Sequence, residues 1–278
     1  TDSGGFQVFS LAKIRKVLEA GVLFQFDMDG KQEILSPEKS IDIQANLGSD
    51  IALILDDFPG FPFEYERSKE SIALTQRWAE RAVAEHARIM DHGDPVNSGQ
   101  KLWGIVQGAS FEDLREQSAK NMVELGFEGF AIGGVAVGEP HEEMMKAVGF
   151  AMPHLPETAP KHLLGVGTPF DIVQAVALGC DTFDCVIPTR EARHGRLYIS
   201  ARSEDGKEGY ETIDIRLAKY AEDFTPLDST CNCYACLNHT RAYLNHLMKS
   251  GENLGERLAT MHNLRFYLNL MKKIRTAI

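Results

Sequence analysis

His162-Leu163-Leu164-Gly165-Val166-Gly167-Thr168-Pro169 opens the stretch that decides the fold, and Gly179 to Asp184 closes it. A short apolar run passes into glycines. Thr168-Pro169 then caps a helix, with a hydroxyl to take an orphan N–H and a proline in the first turn. The helix closes at Gly179, and a second apolar run, Thr182-Phe183, ends in the carboxylate of Asp184. Strand, helix and strand in this order imply two parallel strands joined by a crossover.

Upstream the same unit recurs from about residue 36. Ser36-Pro37 opens a helix that closes near Gly48, and residues 51–55 form a strand ending in Asp56-Asp57. A long helix covers residues 68–91, with Ile72, Leu74, Trp78, Ala82 and Val83 at helical spacing. Residues 102–106, 130–132 and 162–164 are further strands, running into Gln107-Gly108, Gly133-Gly134 and Gly165. Helices at 111–125 and 142–152 separate them. Each strand is short and apolar and ends in a polar residue or glycine. That suits a (β/α)8 TIM barrel, an α/β fold whose active site lies at the C-terminal strand ends. A doubly wound open sheet is the other arrangement, weakened because no Gly-x-Gly-x-x-Gly turn opens the first unit.

Downstream of Asp184, Pro188 breaks the chain and a cationic loop follows, with Arg190, Arg193, His194 and Arg196. Past residue 200 the alternation stops. Residues 203–211 read as the turn of an exposed hairpin, followed by a cysteine cluster and two helices at about 237–250 and 252–276. The chain thus divides into a barrel portion, residues 1–202, and a C-terminal subdomain, residues 203–278. Thr1-Asp2-Ser3-Gly4-Gly5-Phe6 reads as the end of a strand with no strand before it, as in a fragment.

The 278 residues carry a formal charge of −11, which argues against a general nucleic-acid binder. The charge is unevenly spread. Residues 1–187 hold 15 Lys and Arg against 29 Asp and Glu, whereas residues 188–203 hold four against one and residues 237–278 seven against two. An acidic body with a local phosphate-binding face fits this pattern. No apolar run approaches the ~18 residues that span a bilayer. Five cysteines, an odd number with no secretory leader, point to a reducing, cytoplasmic setting.

Cys231-x-Cys233-x-x-Cys236 is the most specific chemical signal. Three thiolates on one knuckle suit a soft tetrahedral ion, and His239, His246 and His262 are candidates for the fourth ligand. No position is left clearly open, so the expectation is one structural zinc. Asp2, Asp56 and Asp184 occupy strand-to-loop positions and would share one barrel rim, where like charges push some pKa values up. One such aspartate is more often an N-cap; three on a rim favour chemistry. Gln107 and Gly133-Gly134 also lie at strand ends, where an amide beside backbone N–H groups can read a planar heterocycle.

With these residues in place, the chain resembles the bacterial-type tRNA-guanine transglycosylases, the queuine tRNA-ribosyltransferase family. The matching stretches are Thr1 to Gln7, Leu35 to Glu38, Gly48 to Ile51, Gly104 to Gly108, Ala131 to Gly134, Gly165 to Gly167, Phe183 to Cys185 and Pro188 to Arg190, with the cysteine knuckle and His262-Asn263. They are collinear and cover essentially the whole chain. The resemblance implies a (β/α)8 barrel with a C-terminal zinc-binding subdomain, and barrel strands ahead of Asp2 that this chain lacks. It implies exchange of the wobble guanine of tRNA for a 7-deazaguanine, the prequeuosine base 7-aminomethyl-7-deazaguanine, in queuosine biosynthesis.

By the same resemblance, Asp184 is the nucleophile and Asp2 the general acid/base. Asp56, Gln107, Gly133 and Gly134 read the base edge, Phe6 stacks on the base, and Leu164 stands where a methionine often packs under it. Arg190, Arg193 and Arg196 would hold anticodon phosphates. Cys231, Cys233, Cys236 and His262 would hold the zinc. A homodimer is implied, with Tyr243 and His246 in the region usually used, and no membrane association. Asp56-Asp57-Phe58 departs from the familiar Asp-Glu-Cys, so Phe58 bears on which deazaguanine fits, while Val137 favours the prequeuosine base over queuine. The alternatives are a queuine-using enzyme and a non-catalytic, zinc-stabilised tRNA-binding subunit; the second would be marked by loss of Asp184, which is present.

Overall fold

The computed structural model describes residues 1–5, 15–25, 31–92, 95–202 and 208–278. The chain forms two compact units, one of Thr1–Val166 with Gln174–Asp184, the other of Gly167–Val173 with Cys185–Ile278.

The first unit begins with a small antiparallel sheet, β1 (Arg15–Leu18), β2 (Gly21–Gln25) and β3 (Gln32–Leu35), in that order. Helix α1 (Pro37–Asn46) follows, with Ser36 as N-cap accepting the Lys39 N–H at 3.2 Å and Pro37 in the first turn. Then come β4 (Ile51–Leu53), α2 (Tyr65–His92), β5 (Lys101–Val106), α3 (Glu112–Glu124), β6 (Phe130–Ile132), α4 (His141–Ala151), β7 (Lys161–Leu163), α5 (Pro169–Ala177) and β8 (Thr182–Phe183). Strands β4 to β8 form one parallel sheet in sequence order. This is the strand–helix alternation of a (β/α) barrel, as expected.

Register decides what this sheet can do. Val106 pairs with Ile132, Ile132 with Leu163, and Leu163 with Phe183. The next residue on each strand is therefore on one level, and those residues are Gln107, Gly133, Leu164 and Asp184. Beneath them, Ile54, Ile105, Val106, Ala131, Ile132 and Leu163 are fully buried. Removing such side chains from water is the main stabilising term, at about 25 cal/mol per Å² of apolar surface. The backbone of β4 is paired at Leu53 by a side chain: Gln44 donates to its carbonyl at 2.8 Å and accepts its N–H at 2.9 Å.

The second unit holds the start of α5, then α6 (Ile187–Arg193), β9 (Arg196–Arg202), β10 (Glu208–Asp214), α7 (Tyr234–Asn238), α8 (Arg241–Ser250) and α9 (Asn253–Ala277). Thr168 and Asp171 cap α5 reciprocally, each side chain bonding the other residue's N–H at 3.2 and 2.8 Å. β9 and β10 pair antiparallel as in the expected hairpin, but residues 208–211, read from the sequence as turn, belong to strand β10. Asn263 of α9 accepts the Tyr198 N–H and donates to the carbonyls of Pro188 and Arg196, tying α6, β9 and α9 together.

Two further expectations are corrected. The segment around Arg190 and Arg193 is helix α6, not a loop, and Arg196 opens β9. Pro188 starts that helix, because a proline near the N-terminus of a helix lacks only an N–H that would have no intrahelical partner. The strand after Gly48 ends at Leu53, short of residue 55. No helix among the described residues is long and apolar enough to cross a membrane.

Candidate active site and metal centre

At the end of β8, Asp184 is fixed by one oxygen. Its Oδ1 accepts the Gly165 N–H at 2.9 Å and lies 3.2 Å from His162 Nε2. Desolvation works against its ionisation, but the His162 bond and the Gly165 N–H outweigh it and hold the carboxyl below its ordinary value. Asp2 shifts the other way. Burial raises its carboxyl, the Ser3 N–H at 2.8 Å works against this, and the nearby charge of Asp184 adds to the rise. The Ser3 carbonyl is tethered in turn by the Ser40 hydroxyl on α1 at 3.1 Å.

Asp56 is buried beyond the end of β4. Burial, then the charge of Asp2, push its carboxyl up to about 7. Gln107 Nε2 donates to its Oδ2 at 2.5 Å, while Gln107 Oε1 is buried with no hydrogen-bond partner among the described residues. A buried amide oxygen without a partner costs about 1–3 kcal/mol, so its place is explained if a ligand supplies the donor. Gly133 and Gly134 lie against this amide. A Cβ on either would come within 2.4 or 2.2 Å of Gln107 side-chain atoms, so any larger residue would displace the amide.

Two supporting residues escape the sequence reading. Arg115 on α3 is fully buried, and its guanidinium donates to the carbonyls of Ala109, Val106, Gly133 and Gly134 at 2.7 to 3.4 Å. Burial brings its pKa down to about 9. It holds both glycine loops from beneath. His162 lies inside β7 opposite Thr182 of β8, and period two places both on the face that leads to Asp184. Leu164 packs against the core, Phe58 is buried, and Phe6 lies outside the described residues.

In the second unit, Cys231, Cys233, Cys236 and His262 bring their ligand atoms within 4.8 Å of one another and could hold a metal ion. His262 Nδ1 is 3.3 Å from Cys236 Sγ and 3.8 Å from Cys233 Sγ. Bonds of about 2.0–2.3 Å in a tetrahedron imply ligand separations of about 3.3–3.8 Å, a range that holds these two His262 distances. His262 Nε2 sits 2.8 Å from the Tyr198 carbonyl, which orients the ring and leaves Nδ1 for the ion. The Cys236 N–H donates to Cys233 Sγ at 3.4 Å. His239 stacks on Tyr243 instead, so of the three candidate histidines only His262 joins the cluster.

Arg190, Arg193 and Arg196 are exposed. Arg190 and Arg196 line one open concavity of about 620 Å³ with His194, Thr212 and Arg216; Arg193 does not line it. Arg196 pairs with Glu191 at 3.2 Å.

The profile of the queuine tRNA-ribosyltransferase family matches residues 1–278. The chain belongs to this family. It is a family of enzymes of the pentosyltransferase type. The chain is 51% identical to the queuine tRNA-ribosyltransferase of Streptococcus pyogenes serotype M5 and 50% to that of Streptococcus uberis. It is 49% identical to that of Mannheimia succiniciproducens. In each comparison all of this chain and 69% of the relative are covered.

Proposed function

We propose that the protein is a tRNA-guanine transglycosylase that exchanges the wobble guanine of tRNA for the prequeuosine base. One observation carries this reading: two carboxyls in mutual electrostatic range, Asp184 held below its ordinary pKa and Asp2 above it. Groups pushed apart in this way divide into an ionised nucleophile and a protonated acid. Asp184 attacks C1′ of the ribose, as the carboxylate of a retaining glycosidase does. The C1′–N9 bond breaks, its electron pair leaves with guanine, and Asp2 supplies the proton. The incoming base then gives its N–H proton to Asp2 and attacks C1′, and the C1′–oxygen bond returns its pair to Asp184.

Asp56 and the open Oε1 of Gln107 are acceptors for the N–H groups of a guanine-like edge, and Gly133 and Gly134 let that edge approach the backbone. Phe6 is assigned to stacking on the base. Arg190, Arg193 and Arg196 are assigned to phosphates of the anticodon loop. One zinc on Cys231, Cys233, Cys236 and His262 would serve as a structural cross-link. A homodimer in the cytoplasm, and a division of labour between residues 1–202 and 203–278, complete the proposal.

The test is incorporation of radiolabelled guanine into tRNA, and capture of a covalent tRNA–protein adduct on a denaturing gel. Both should vanish in Asp184→Asn while tRNA still binds. Undiminished exchange would refute the nucleophile.

A further inference from the structure

Asp184 presents two oxygens, and the structure treats them differently. Oδ1 has both partners, the Gly165 N–H at 2.9 Å and His162 Nε2 at 3.2 Å. Oδ2 takes no hydrogen bond from another described residue. The His162 side chain is mostly buried, at 18% exposure, and its other nitrogen, Nδ1, is 2.9 Å from Thr182 Oγ1. An ionised carboxylate only accepts, so Nε2 carries the proton. In the neutral ring Nδ1 is then an acceptor, and the Thr182 hydroxyl donates to it. Thr182, His162 and Asp184 form one directed chain across the paired strands β7 and β8.

We propose that His162 is a positioning residue for the Asp184 nucleophile, occupying Oδ1 and thereby selecting Oδ2 as the oxygen that attacks the ribose. This deepens the transglycosylase reading and rests on it. A carboxylate oxygen with two donors is the poorer nucleophile, and the oxygen with none is the better one. In the attack, Oδ2 bonds to C1′ as the C1′–N9 bond breaks and the pair leaves on the base, protonated by Asp2. Oδ1 becomes the carbonyl oxygen of the acyl-linked intermediate and keeps both N–H partners. When the new base attacks, the C1′–Oδ2 pair returns to the carboxylate, and the same two donors receive the charge. Neither donor has to move in either half of the exchange, which is the economy of a preorganised site.

The experiment compares wild type, His162→Leu, His162→Gln and Asp184→Asn in guanine exchange, with kcat and KM for tRNA measured for each. Glutamine keeps an N–H near the Nε2 position; leucine keeps bulk alone. His162→Leu should lose kcat by about a hundredfold with KM for tRNA within twofold, the scale of a misplaced reacting group. His162→Gln should recover most of kcat. Unchanged kcat in His162→Leu overturns the proposal. So does an equal loss in both His162 variants with a raised KM, the mark of a merely structural residue. Activity in Asp184→Asn would instead overturn the nucleophile reading, so the two failures are told apart.

Discussion

The row of strand ends and the cysteine cluster are built in opposite ways. The cluster draws three of its four ligands from six consecutive residues, and only His262 comes from afar. The row draws Gln107, Gly133, Leu164 and Asp184 from four strands across 78 residues, and only the pairing register sets them level. A local constellation can be stabilised by what it binds. A distributed one must be held by the fold before anything binds, and here the holders are Gln44 of α1 against β4, Arg115 under the glycine loops and His162 beside Asp184.

If that contrast is right, the two regions fail differently. Asp184→Asn should cut guanine exchange by about a thousandfold or more, the usual scale for loss of a nucleophile. Its metal content and melting temperature should match wild type. Cys233→Ser should do the reverse, losing the metal measured by atomic emission and lowering the melting temperature. A structural zinc contributes on the order of 10 kcal/mol in small zinc domains. Retention of one zinc per chain in Cys233→Ser would exclude the cluster as the metal site. Loss of zinc in Asp184→Asn would mean that the regions are not independent.

The same contrast explains what the sequence discloses. The cysteine spacing is legible because its chemistry is local. The strands from β4 to β8 are legible because each apolar run ends in glycine or a polar residue, and Asp184 stands out at such an end. The fourth ligand is not legible from spacing alone: His239 is nearer in sequence but stacks on Tyr243. His162 is hidden because a polar residue in a three-residue strand has no visible periodicity, and only its register with Thr182 turns it toward Asp184. The sheet of β1 to β3 is hidden because β1 and β2 are joined through Glu19-Ala20, not by the Asn-Gly or Asp-Gly pair that marks a hairpin. Helix α6 is missed because Pro188 reads equally as a breaker and as a first helical residue.

Burying a carboxyl near the charge of Asp2 should cost stability, and Asp56 measures the cost. Its pKa of about 7 lies above the ordinary 3.8, so the folded form keeps a proton that the unfolded chain gives up. Wild type therefore loses stability as pH rises from about 4 through 7, at about 1.4 kcal/mol for each pH unit crossed. Asp56→Asn does not titrate. Relative to wild type it should gain on the order of a few kcal/mol between about pH 4 and pH 8 in urea unfolding, while base exchange is lost. A stability difference that is the same at both pH values would show that Asp56 is not strained in the folded protein.

The smallest effect tests how the row is braced. Gln44 is 2% exposed and pairs both backbone groups of Leu53. Leucine has nearly the same volume but no polar atoms, so Gln44→Leu should leave the N–H and carbonyl of Leu53 buried and unpaired. The expected loss is about 1–3 kcal/mol in the urea midpoint. Because Asp56 follows β4 by three residues, KM for the incoming base should rise as well, whereas zinc content stays at the wild-type value. If stability falls but the kinetics do not, the parallel pairing of β4 with β5, from Ile51 against Lys101 to Leu53 against Trp103, suffices to set the position of Asp56. Gln44 would then stabilise the strand without aligning the site, and alignment would belong to the sheet register alone.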